Sequence, residues 1–247
     1  MLKNIIKSII TYILWGLICF PIMCLCALFA FIPESWRYDN KIIFRMFSFF
    51  AKTIMRTTML RIKITGQENL PNHPSCPAIV IANHSSAFDI PIVDMLFGSY
   101  PRMWMSKKSY IRIPIFGFLV KRMHIPIDKA SLHGARQSLE IAHQRASQGA
   151  RHIMIFPEGK RYDDGKIHKF YSGFAILTQK LGRPVIPIVI GGLHKVFPKG
   201  SFFIASSGQE IKINIGKPIH FDKTQTSAEI TATMHSYFEE ELKKLET

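Results

Sequence analysis

A histidine and an aspartate five positions apart, His84 and Asp89, stand in the stretch ANHSSAFDIP, where an apolar run gives way to small polar residues. On one continuous helix that spacing would set the side chains ~140° apart, so the pair can meet only across a tight turn. Ser85 and Ser86 suit a turn or a helix cap, and Pro91 suits a first helical turn. Folded back in this way, the aspartate would fix the imidazole's tautomer and steady its cationic form, as a general base requires. A hydrogen-bonded turn histidine beside a helix-start acid is the plainer alternative, and this stretch alone leaves both open.

A second polar group follows Phe156 and Pro157: Glu158, Gly159, Lys160 and Arg161. Gly159 lets the backbone turn sharply and display the charges around it. Arg161 offers a planar donor fork suited to phosphate, Lys160 or Lys169 adds point charge, and Glu158 can accept from a hydroxyl or hold Arg161. Lys107 and Lys108 open a third stretch, through IRIPIFGFLVKRMHIPIDK, that suggests an apolar wall with a basic rim. Cys19, Cys24 and Cys26 fall in the apolar N-terminus and Cys76 stands apart, a pattern with no zinc spacing or disulfide framework. Cys76 is expected to be a quiet buried thiol, and no metal is called for.

These groups need a scaffold that delivers them to one place. Short apolar runs bounded by turn residues predict strands at Arg61–Ile64, Ala78–Ala82, Met103–Met105, His124–Ile127, His152–Phe156, Val185–Ile190 and Ile211–Ile215. Between them, helices are predicted near Ile92–Phe97, Ile115–Lys121, Ser131–Gln148 and Gly173–Leu181, with a last one announced by the capping-box pair Thr226 and Glu229. Such alternation predicts an α/β fold with a central mixed, largely parallel sheet flanked by helices. Both polar clusters then fall at strand ends, where open α/β sheets bind and react.

The N-terminus differs in kind. Ile9 to Pro33 carries no charge and is long enough to cross a hydrocarbon core, with Pro21 placed to kink it. Lys41 to Leu60 mixes apolar and basic residues at helical spacing, as an interfacial helix or one packed on the main domain would. Residues 1–60 therefore read as a membrane-anchoring, N-terminal membrane-binding helical element, and residues 61–247 as the main domain. The basic flank from Arg37 to Lys63 places that domain on the cytoplasmic face. A formal charge of +15 favours anionic partners. No zinc finger or RNA-binding aromatic signature points to nucleic acid.

Together, NHSSAFD, IPIFGF followed by HIPIDK, FPEGKR and VIPIVI resemble, in order, the blocks of the glycerolipid acyltransferase family. The resemblance covers roughly residues 66–216. It implies that His84 is the general base and Asp89 its partner. Glu158 and Arg161 would form the acceptor's glycerol-phosphate site, with Gly159 shaping the turn, and Pro187 would support acyl-donor or site geometry; by their charge alone, Lys160 and Lys107 are further substrate-binding candidates. It implies transfer of an acyl group from acyl-CoA or acyl-ACP to the sn-2 hydroxyl of 1-acyl-glycerol 3-phosphate, giving phosphatidic acid, with no cofactor beyond that co-substrate. Its partners would be a lysophospholipid acceptor, the thioester donor and anionic membrane lipid, at a bacterial inner membrane.

Backbone N–H groups at the helix start after His84 are the candidate oxyanion donors. The chain departs from the family at Lys160 and Tyr162, where Thr and Ser are common, and at Asp128-Lys129, where Asp-Arg is common. Those departures keep another acceptor, a lyso-ornithine lipid or glycerol 3-phosphate, as the alternative. A non-catalytic basic module that binds membrane or nucleic acid is the reading from a different class.

Overall fold

The computed structural model describes residues 2–29, 31–71, 76–129, 131–197, 203–204 and 210–247. Seven strands, β1 (Arg61–Thr65), β2 (Ile79–Ala82), β3 (Arg102–Lys107), β4 (Ile125–Ile127), β5 (His152–Ile155), β6 (Val185–Gly191) and β7 (Glu210–Ile215), form one sheet. Its order is β1-β7-β6-β2-β5-β3-β4. Every neighbouring pair is parallel except β6 and β7. The sheet is mixed and largely parallel, as the alternation of strands and helices predicts.

β2, β5 and β6 are buried along their whole length. That is why they read as unbroken apolar runs rather than alternating ones. Ile79, Ile81 and Ile153 face Phe174 and Leu177 of α8 (Gly173–Leu181) and Ile230, Met234 and Phe238 of α9 (Ser227–Glu246). Val80, Ala82 and Met154 face the other way, onto Ile92 and Val93 of α5 (Asp89–Leu96) and Met55 of α4 (Lys41–Thr57). A parallel sheet covered on both faces keeps only its strand ends for chemistry, and β2 and β5 are adjacent at its centre.

α9 opens with the expected capping box: the Thr226 hydroxyl accepts from the Glu229 amide, and the Glu229 carboxylate accepts from the Thr226 amide. α4 begins at Asn40, whose side chain caps the Ile42 and Ile43 amides, and it buries Ile43, Phe44, Ala51 and Met55 against the domain. Ile42 and Phe49 remain exposed on its other face.

At the N-terminus, Asn4–Phe29 is a helix long and apolar enough to cross a membrane. It runs as α1 (Leu2–Leu14), a π-turn (Trp15–Cys19) and α2 (Phe20–Phe29). The irregularity lies just before Pro21, whose ring crowds the carbonyl four residues back, and widening the turn relieves that crowding. α1 is bonded to the body of the protein. Ser8 Oγ accepts from the Ile204 amide at 2.8 Å, and Trp15 Nε1 donates to Thr57 Oγ1 at 2.8 Å. Cys76 is exposed rather than buried, since it lies in the connection ahead of β2 and outside the sheet's cover.

Candidate active site

β2 ends at Ala82, and Asn83 carries its pairing one step further. Its side-chain amide donates to the Ile190 carbonyl at 2.9 Å and its side-chain oxygen accepts from the Ile190 amide at 2.8 Å. His84 follows at once, and the chain then turns so that Asp89 comes back under it. His84 Nδ1 lies 2.8 Å from Asp89 Oδ2, and the same oxygen accepts the Ser85 and Ser86 amides, each at 2.7 Å. Asp89 is fully buried. An ionised carboxylate is thus fixed by three donors, which holds the Nδ1 proton in place and leaves Nε2 as the acceptor. Nε2 has no hydrogen-bond partner among the described residues. The ring is stacked on Phe156, 4.0 Å between centroids and 8° between planes, so its orientation is set from both sides.

Of the two roles expected for Ser85 and Ser86, turn and cap, the structure shows the turn: the Ser86 hydroxyl accepts the Phe88 amide at 3.4 Å, neither hydroxyl caps α5, and the Asp89 carboxylate accepts both serine amides. Those two amides are therefore committed to Asp89 and are not oxyanion donors.

The turn after β5 lies against His84. Glu158 does not display its carboxylate to solvent: it is buried, and Oε1 accepts the His84 amide at 2.9 Å. The Tyr162 amide donates to the His84 carbonyl at 2.9 Å, so this turn grips the histidine's backbone from both ends. Burial pushes the Glu158 carboxyl up to about 7, against the pull of the His84 and His168 amides, with the nearby charges of Asp89 and Asp164 adding to the rise.

Gly159 has φ 69°, and an added Cβ would meet the Lys129 ammonium and the Tyr171 ring. Its carbonyl accepts from Lys129 Nζ at 2.7 Å. Arg161 is half-buried and, among the described residues, makes no ion pair. Lys160 lies over the Tyr162 ring at 4.6 Å, and that ring stacks on His168 at 3.6 Å.

Lys107 is not brought against His84. It is exposed at the end of β3, with β5 between it and β2, and it keeps company with Lys129, whose ammonium burial and the Lys107 charge lower. The structure thus gathers His84, Asp89, Glu158, Gly159 and the backbone of Tyr162 into one site, with Lys107 on its rim.

Several supporting residues gave no signal in the sequence. Arg102, fully buried, donates to both Asp94 oxygens at 2.7 Å and to Ser48 Oγ at 2.9 Å, and Trp104 Nε1 donates to Asp94 Oδ1 at 3.1 Å. Burial raises the Asp94 carboxyl, but the Arg102 charge and hydrogen bonds outweigh it and leave it below the usual range. This network locks α5, and with it Asp89, to β3 and α4. Its members are too far apart in sequence to be linked by spacing.

An acyltransferase family model matches residues 61–191, more than half of the chain and the segment that carries both clusters. The chain belongs to the acyltransferase family. A chloroplastic 1-acyl-sn-glycerol-3-phosphate acyltransferase of Arabidopsis thaliana is 33% identical over 164 residues, 66% of this chain and 45% of that protein. The chain thus spans less than half the length of that plant relative. Proteins of the same name from Borreliella burgdorferi and Pseudomonas aeruginosa are 27% and 25% identical, over 63% and 87% of this chain and 60% and 81% of theirs. The crystal structure of the 1-acyl-sn-glycerophosphate acyltransferase PlsC from Thermotoga maritima superposes with a TM-score of 0.81 at 20% identity, covering 100% of this chain and 97% of that one. This acyltransferase therefore shares its fold with that structure.

Proposed function

We propose that this acyltransferase moves a fatty acyl group from an acyl-CoA or acyl-ACP thioester to the sn-2 hydroxyl of 1-acyl-glycerol 3-phosphate, giving phosphatidic acid. The observation that carries the reading is the His84–Asp89 pair, with Nε2 unengaged, set against the Glu158–Arg161 turn in a chain of this family. The names of the relatives support the acceptor.

In this mechanism His84 Nε2 takes the proton of the acceptor hydroxyl as its oxygen attacks the thioester carbonyl. The C–S bond of the tetrahedral adduct then breaks, and the imidazolium returns the proton to the departing thiolate. Asp89 stabilises the imidazolium between the two steps. Arg161 holds the acceptor phosphate, with Lys160 beside it. Glu158 supports His84 through its amide instead of touching substrate.

Residues 61–247 act as the catalytic unit, and the helix at Asn4–Phe29 anchors it to an anionic membrane. The basic stretch from Arg37 to Lys63 supports a cytoplasmic location for the catalytic unit.

The test is incubation of detergent-solubilised protein with long-chain acyl-CoA or acyl-ACP and a panel of acceptors: 1-acyl-glycerol 3-phosphate, glycerol 3-phosphate and lyso-ornithine lipid. Product is read by mass spectrometry. Phosphatidic acid from the first acceptor alone is the expected result. Acylation of another acceptor instead would keep the chemistry and replace the substrate.

A further inference from the structure

One cavity of the described residues lies away from His84. It has a volume of about 430 Å³ and sits beyond β4, the edge strand, between α3 (Glu34–Arg37), α6 (Phe116–Met123) and α7 (Leu132–Ser147). Arg37, Lys108, Lys121, Arg122 and Arg145 line it, against two carboxylates, Glu34 and Asp128. One carboxylate is engaged with Lys108, at 2.8 Å, and the other lies 3.9 Å from Arg145. A cavity holding that excess of cations is a site for an anion.

The cations are held, not merely near one another. The Arg37 and Arg145 guanidiniums stack on the buried Tyr38 ring at 4.9 and 5.7 Å, Tyr38 Oη donates to the Arg122 carbonyl at 2.8 Å, and Arg145 donates to the His124 carbonyl at 2.9 Å. Ile111 and Ile141 complete the wall with apolar surface, and the volume suits a nucleotide-sized ligand.

The sheet register relates this cavity to the active site. Ile81 pairs with Ile155, Met154 with Trp104, and Met105 with Ile125. His84, Glu158, Lys108 and Asp128, each three residues beyond Ile81, Ile155, Met105 and Ile125, therefore leave the sheet at one level. From β2 to β4 is three strand spacings, ~14 Å. Lys129, bonded to the Gly159 carbonyl, and its neighbour Lys107 stand along that path.

We infer that the cavity binds the phosphorylated nucleotide end of a coenzyme A thioester, whose pantetheine arm crosses the ends of β5 and β3 to bring the acyl carbon to His84. The inference rests on the thioester donor proposed above. A diphosphate fits the clustered guanidiniums, a purine fits the apolar wall, and the arm is long enough to span the gap.

The experiment uses the full chain in detergent and has a binding arm that needs no turnover. Titration with coenzyme A and with 3′-phospho-ADP, which lacks the arm, is compared between wild type and the variants Lys121→Glu and Lys108→Gln/Lys121→Glu. Lys121 is exposed and has no ion-pair partner among the described residues, so its change tests charge without opening the core. Both ligands should bind wild type and weaken roughly tenfold or more in the double variant. In the kinetic arm the KM for acyl-CoA should rise by a similar factor while the KM for the lysolipid stays.

Nucleotide binding that weakens in the variants of a chain without acyltransferase activity would keep the inference and remove the function proposed above. Turnover of acyl-CoA with no nucleotide binding, or with KM unmoved in the double variant, would do the reverse. A rise in KM confined to acyl-ACP, or a loss of binding to anionic vesicles with donor KM unchanged, would assign the cavity to a carrier protein or a lipid phosphate and overturn it.

Discussion

The turns after β2 and β5 are built alike, a buried strand running into a polar bend and then on toward a helix, yet they use their charges in opposite ways. In the first, the polar groups are turned inward: Asp89 accepts His84 Nδ1 and two amides, and His84 Nε2 is left without a partner among the described residues. In the second, the charges divide. Glu158 turns in to hold the first turn's backbone, while Lys160 is exposed and Arg161 is left unpaired among the described residues. A closed turn that leaves an imidazole nitrogen open suits proton transfer, and a half-open one with spare cations suits holding an anion. Glu158 belongs to one turn by sequence and to the other by hydrogen bond.

The sharpest break of this contrast is His84→Ala. It should lower kcat by ~10²–10⁴ while circular dichroism and melting temperature stay near wild type. Next comes Asp89→Asn, expected to cost roughly 10² or more in kcat, because the amide oxygen kept on the Ser85 and Ser86 amides is neutral and no longer stabilises the imidazolium. Turnover close to wild type in Asp89→Asn would mean that the carboxylate serves the turn and not the imidazole.

Arg161→Ala should act on the other side of the comparison, raising the acceptor KM roughly tenfold with kcat kept. An equal fall in kcat would merge the two turns into one catalytic unit.

The smallest effect is expected from Glu158→Gln, through pH. The Glu158 carboxyl sits at about 7 in the fold against an ordinary 4.5, so the native state holds its proton longer than the unfolded chain. Its contribution to stability is full below pH 4.5 and is lost as pH rises through about 7. His124 and His152, lowered by burial to about 4 and about 3, tilt stability the other way, so the readout is the difference between variant and wild type. Melting temperatures across pH 4 to 8 should show the variant gaining on wild type as pH rises, and parallel curves would contradict the buried carboxyl.

Much of this arrangement was legible because it is local. Seven short runs between turn residues became seven strands: β2, β5 and β6 are buried along their length and read as unbroken apolar runs, while β1 and β7 alternate, Ile62 and Ile64, and Ile211, Ile213 and Ile215, between polar residues. The Thr226–Glu229 box marked a helix start three residues wide. That His84 and Asp89 could meet across a turn was legible from their spacing, which a continuous helix would have kept apart. The inward course of Glu158 was not legible: a carboxylate beside Gly159, Lys160 and Arg161 looks solvated until β2 is known to lie next to β5. Asn83 pairing with Ile190 and Arg102 clasping Asp94 and Ser48 depend likewise on strand order and helix docking, which no local periodicity encodes. Helix α5 begins at Asp89, earlier than the apolar residues alone suggest, because the carboxylate itself organises the turn.

The bonds that fasten α1 to the body, Ser8 to Ile204 and Trp15 to Thr57, have a kinetic meaning. Trp15 also meets Phe88, the residue before Asp89, edge to face at 5.9 Å, so the apolar helix packs directly against the turn that carries His84 and Asp89. With that helix in a bilayer and the proposed lysolipid as acceptor, the protein would search for its substrate in two dimensions. Its rate would then follow the mole fraction of lysolipid in the membrane. Diluting the bilayer with inert lipid would slow turnover at constant bulk concentration, and adding more bilayer of the same composition would not.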